Sequence, residues 1–123
     1  MSYRIFIAIG LLLFSTSIFA ATQGIPATRT ITLIQTYEDY AAVYISPTFS
    51  DSLSGCTSTV EGQAYVIDWS TNTGAKALYN AALAAFLLGK TVGFGISDAT
   101  CHPYGSGSGA NGSAIIYRVD MSK

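Results

Sequence analysis

Charge is scarce in this chain: Asp, Glu, Lys and Arg make up 11% of the residues, and the formal net charge is −1. The bases beyond residue 20 are Arg29, Lys76, Lys90, Arg118 and Lys123, and they form no cluster. A nucleic acid would gain little from counterion release on such a surface, which argues against nucleic-acid partners. Histidine is reduced to His102, which follows Cys101 without further ligands, so no metal or cofactor motif is present. His102 is expected as an exposed loop residue, and pairing of Cys101 with another cysteine would deny it a nucleophile. Gly105-Ser106-Gly107-Ser108-Gly109 has the letters of a nucleophile elbow but lacks the required strand-to-helix turn, and no phosphate-loop lysine follows it. Among the few acids, Asp68 with Asp98, or Glu38 with Asp39, would be the candidates for a glycosidase pair. Nothing in their spacing fixes the separation such chemistry needs. The reading is therefore a non-catalytic protein.

Long hydrophobic runs are also missing, apart from one at the start. Arg4, the apolar run Ile5 to Leu13 and the segment Ser17-Ile18-Phe19-Ala20 stand in the order of a secretory signal peptide, with cleavage expected after Ala20. The run is shorter than the roughly 20 residues needed for a permanent membrane helix. No cysteine near the cut offers a site for lipidation. The expected product is a soluble, secreted or periplasmic chain of residues 21–123 with no stable membrane insertion. That is one small domain with one core.

Cysteine is limited to Cys56 and Cys101, both in the mature part. An oxidising compartment permits them to pair. Joining them would close a loop of about 46 residues and stabilise the fold by about 4 kcal/mol on chain-entropy grounds. A disulfide-linked dimer or free thiols remain as alternatives.

What is abundant is β-forming sequence. Arg29 to Tyr37 alternates as a first strand after a short flexible leader, with Ile31 and Leu33 on one face. Glu38-Asp39 suits a tight hairpin, Tyr40 to Ser46 is a second strand, and Pro47 stops it. The polar stretch Ser50 to Gly62 is a connector holding Cys56. Gln63 to Trp69 forms a third strand. Ser70 to Gly74 offers side-chain oxygens for an N-cap, Ala75 to Leu88 has helical periodicity, and Gly89 is placed to end the helix in a left-handed conformation. Leu78, Ala81, Ala82, Ala85 and Leu88 share one side of this helix. Its polar surface is little more than Lys76 and Asn80, which suggests either cover from the sheet plus a homo-oligomer contact or alanines tolerated at the surface. Lys90 to Ser97 is a fourth strand whose Gly93 and Gly95 leave one face bare for a close neighbour. A loop from Asp98 to Gly112 precedes the last strand, Ser113 to Met121.

The expected class is mainly β with one α-helix. Five strands with a helix between the third and fourth match a five-stranded, OB-like Greek-key barrel whose helix plugs one end. An open antiparallel sheet with one packed helix uses the same elements, and pattern alone leaves both standing.

Aromatics supply the candidate binding residues. Tyr37, Tyr40, Trp69 and Tyr104 fall near strand ends or in loops, where rings stack on polar ligands. Asp68, Asn72 and Asn111 offer directional hydrogen bonds beside them. The partner expected is a glycan or another exported protein, with a secreted hydrolase or an enzyme inhibitor as the alternative reading.

The run Asn72-Thr73-Gly74-Ala75-Lys76-Ala77-Leu78-Tyr79, continuing through Ala81 to Ala84 and Gly89-Lys90-Thr91-Val92 to Cys101, resembles a group of small exported Gram-negative proteins that mostly lack an assigned function. The likeness covers residues 56 to 101 and implies export and the disulfide. The order of elements is also similar to the OB-fold binding subunits of AB5 toxins, which bind cell-surface glycans. That likeness is one of topology, and no sugar-contact residues carry over.

Overall fold

The computed structural model describes residues 22–49, 55–56, 64–106 and 111–123. The expected signal segment, 1–20, lies outside the described residues, as do most of the connector before the third strand and part of the glycine-serine loop. The protein is mainly β with one helix, in the order β1 (Thr22–Thr36), β2 (Tyr40–Ser46), β3 (Ala64–Asp68), α1 (Ala75–Leu88), β4 (Thr91–His102) and β5 (Ser113–Met121). The five strands form one mixed sheet. Its pairings run β1-β2-β3-β5-β4 and return from β4 to β1. All pairs are antiparallel except β3 with β5, so the sheet is not antiparallel throughout.

β2, α1 and β5 have the expected ranges. β1 is longer, because Thr22 to Ile25, expected as a leader, pair with Ser97 to Phe94 of β4. Pro26 falls where this ladder is interrupted, between Ile25 and Arg29, so its missing amide costs no ladder bond. A second irregularity lies between Ile31 and Leu33 in the pairing with β2. The extra residue, Thr32, reverses the alternation: Ile31 is buried, Leu33 turns outward at 44% exposed, and Ile34 packs against the core. Ile31 and Leu33 therefore do not share a face.

β4 is also longer than expected, since Asp98 to His102 continue the strand instead of opening a loop. Its Val92, Phe94 and Ile96 are fully buried. On the opposite face, a Cβ at Gly93 would lie 2.7 Å from the Ala27 amide nitrogen of β1, closer than packing allows. The bulged β1 backbone thus requires glycine there. Gly95 is covered instead by the Tyr117 ring.

The core gathers Ile25, Ile45, Tyr65, Ile67, Phe94 and Ile116, among others, and the helix packs on it through Ala75, Ala82 and Ala85. The helix touches β1, β3, β4 and β5. Its start differs from expectation: no side chain caps it, and Asn72 instead accepts a bond from the Gly74 amide at 3.1 Å. At the other end Gly89 has φ 63°, with the Gly89 and Lys90 amides bonding back to Phe86 and Ala85. Leu88, expected on the packed side, is 71% exposed, and Leu87 is 73% exposed, because the last turn projects past the core.

Cys56 and Cys101 are joined by a disulfide with Cα atoms 5.4 Å apart. Gly55 next to it donates its amide to the Asp98 carboxylate at 3.0 Å. No helix among the described residues is long and apolar enough to cross a membrane.

Candidate binding face

The sheet has a second buried layer, outside the core. On β2 the side chains of Tyr40, Ala42 and Tyr44 point away from Ala41, Val43 and Ile45. Ala42 is nonetheless fully buried, as is Val66, its partner on β3. The end of β4 and the start of the β4–β5 connection pack against the tyrosines on either side of Ala42. His102 packs its ring 4.1 Å from that of Tyr40. Tyr104 donates its hydroxyl to Gln35 Oε1 at 2.5 Å and shares a short hydrogen bond with the Tyr44 hydroxyl. The Tyr104 backbone is fixed as well, its amide donating to His102 Nδ1 at 3.1 Å and its carbonyl accepting from Ser113 at 2.9 Å. The disulfide at Cys101 anchors the same stretch of chain.

Tyr37, in the β1–β2 turn, stacks on Tyr40 with ring centroids 4.5 Å apart and planes within 14°. Tyr104 stands 6.1 Å from both rings. Tyr37 is 43% exposed, so the stack ends in an accessible ring. Tyr37, Tyr40 and Tyr104 are therefore brought together. His102, Tyr44 and Gln35 join them, although sequence reasoning singled out none of the three for binding. His102 is half-buried at the end of a strand, not exposed in a loop. The signal for Tyr44 was present in the alternation of β2, which puts aromatic rings on the face opposite the aliphatic core.

Asp68 adjoins this cluster. It is the cross-strand partner of Tyr40, on the same face. Its Oδ1 accepts the Ser70 amide at 2.8 Å and the Ser70 hydroxyl at 2.6 Å. Burial pushes the Asp68 carboxyl upward, but the two bonds from Ser70 and the nearby His102 outweigh that and hold its pKa below the ordinary value. Burial lowers the His102 pKa, opposed in part by Asp68. Burial raises the pKa of Tyr40, helped by Tyr37. It raises that of Tyr104 well beyond the usual phenol range, aided by the Tyr44 hydrogen bond and the neighbouring tyrosines. Beside Asp68 opens a cleft of about 380 Å³, lined by Asp68, Thr71, Ser97, Ala99, Thr100 and Ile115.

The remaining candidates lie apart from the stack. Trp69 is 9% exposed; it donates Nε1–H to the Glu38 carbonyl at 2.8 Å and packs on Tyr79 of the helix at 5.2 Å. Asn72 holds the turn before the helix. Asn111 donates to the Gly55 carbonyl near the disulfide. Asp98, weighed with Asp68 as an acid pair, lies within β4 and binds the Gly55 amide.

Comparison with protein-family models, with curated proteins and with solved structures returns no match to this chain.

Proposed function

We propose that the sheet is an OB-like Greek-key barrel and that the protein is an exported, non-catalytic binding protein whose ligand is a glycan. The carrying observation is the Tyr37–Tyr40 stack, which ends in an exposed ring and is bordered by Tyr104 and His102. An aromatic face lined by hydroxyls offers both surfaces a sugar needs: a flat apolar one for its C–H groups and polar atoms for its hydroxyls. The placement supports this reading. OB-folds bind oligosaccharides and oligonucleotides with strands 2 and 3 and with the loops joining strands 1 to 2 and 4 to 5. Here Tyr40 is on the second strand, Tyr37 is in the first of those connections, and Tyr104 is in the second. The low basic content favours the sugar over the nucleic acid. The disulfide accords with an oxidising, periplasmic or secreted location.

The test is retention of the purified chain on immobilised glycans. Retention on one glycan class, lost in Tyr37→Ala with the thermal transition unchanged, is the expected result; no retention on any class would overturn the reading. A protein-partner reading draws on a different feature, the exposed Leu87 and Leu88 at the helix end. Sedimentation at increasing concentration distinguishes self-association there, which Leu87→Ser would abolish.

A further inference from the structure

The stack and the cleft beside Asp68 adjoin on one surface. Tyr40 and Asp68 are directly opposed across β2 and β3 and share a face, which puts their Cβ atoms about 5 Å apart. His102 packs its ring on Tyr40 from the side of β4. The sides differ in chemistry. The stack offers an exposed ring. The cleft is lined by the acid Asp68, by the hydroxyl-bearing residues Thr71, Ser97 and Thr100, and by Ala99 and Ile115. Its size, about 380 Å³, is near the lower end of ordinary ligand sites and suits one small ring more than an extended chain.

The charge of the cleft is set by Asp68. Among the described residues only Ser70 hydrogen-bonds to it, and both bonds use Oδ1, which leaves Oδ2 for a ligand. Among the described residues no basic side chain lines the cleft, and Arg118 on β5 is paired with Asp120 at 2.9 Å. A carboxylate fixed in this way accepts hydrogen bonds from sugar hydroxyls. It repels a second carboxylate, a sulfate or a phosphate.

We propose that the Tyr37–Tyr40 stack and the Asp68 cleft are two subsites of one site, which takes an uncharged oligosaccharide of at least two rings and rejects acidic glycans. One ring lies on Tyr37, and the next places its hydroxyls against Asp68. This rests on the glycan reading above and narrows it in length and charge.

A printed array of neutral glycans of one to six sugars, each paired with its sialylated or sulfated form, tests the proposal. The expected result is retention of neutral members of two or more sugars, with single sugars and acidic counterparts about tenfold weaker or more. Asp68→Asn keeps an oxygen for Ser70 while removing the charge, so it is expected to narrow the gap between neutral and acidic members. Tyr37→Ala is expected to weaken both alike. Preference for acidic glycans, equal binding of single sugars, or a neutral-to-acidic gap indifferent to Asp68→Asn would each overturn the two-subsite proposal and leave glycan binding standing. No retention of any glycan would overturn both.

Discussion

Trp69 and Tyr37 flank the same β1–β2 turn but face different surroundings. The turn gives its Glu38 and Asp39 carbonyls to the indole and backbone N–H groups of Trp69, which lies under the helix against Tyr79. Tyr37 leaves the same turn in the other direction, stacks on Tyr40 and keeps one face in water. Both are large aromatics close to strand ends, and both are natural binding candidates by that criterion alone. Their neighbours separate them. An aromatic ring whose polar atom is already satisfied by backbone and whose faces are covered stabilises the fold, whereas one stacked on a single side has a face left to offer.

The largest effect expected is on the side of Tyr37, through the disulfide that holds its cover. Cys101 immediately precedes His102, and the bridge spans a sequence separation of 45. Replacing both cysteines by serine is expected to cost about 4 kcal/mol, read as the shift of the urea midpoint. A loss below about 1 kcal/mol would mean that packing of His102 and Tyr104 holds the connection without the staple. Next is Trp69→Ala, expected to destabilise by about 3 kcal/mol because it empties a buried site and leaves Tyr79 of the helix without its ring partner. Tyr37→Ala, by contrast, is expected to cost less than about 1 kcal/mol, since it removes an exposed ring stacked on one neighbour. Equal losses in the same denaturation experiment would erase the distinction between the two aromatics.

Much of the fold was legible because its boundaries have local causes. Pro47 ends β2, and Gly89 ends the helix with a positive φ. Where the chain depends on distant partners, local pattern fell short. Thr22 to Ile25 are a strand because β4 lies beside them, and nothing in a segment interrupted by Gly24 and Pro26 announces that neighbour. The bulge at Thr32 sent Leu33 outward against its apparent period. Asp98 to His102 read as a loop because they are polar, yet the disulfide and pairing with β5 carry the strand on. The candidate face shows the same division. Tyr37, Tyr40 and Tyr104 could be selected as aromatics near loops, but their convergence depends on the connection folding back over β2. That fold-back also draws in His102 and Gln35, whose residue types carried no signal.

The smallest effect expected is the response of stability to pH, and it belongs to the tyrosine side alone. The pKa of His102 is below its ordinary 6.5 in the folded protein, so the unfolded chain takes up the proton first. Its contribution is complete above pH 6.5 and is lost as pH falls through the lower folded value. Asp68 follows the same sign further down, starting from its ordinary 3.8. Tyr104 and Tyr40 have raised values, so the unfolded chain loses the phenol proton first, and stability falls as pH rises beyond 10. Stability is therefore expected to be level between about pH 6.5 and 10, with one decline on each side. His102→Gln is expected to flatten the first part of the acid decline, and Tyr104→Phe the alkaline one. Trp69→Ala should lower the whole curve without changing either slope, because the indole exchanges no proton. If His102→Gln left the acid decline intact, that decline would have a source other than His102; if Trp69→Ala altered the slopes, the two aromatic regions would be coupled parts of one packing unit. Their contrast would then have no basis in ionisation.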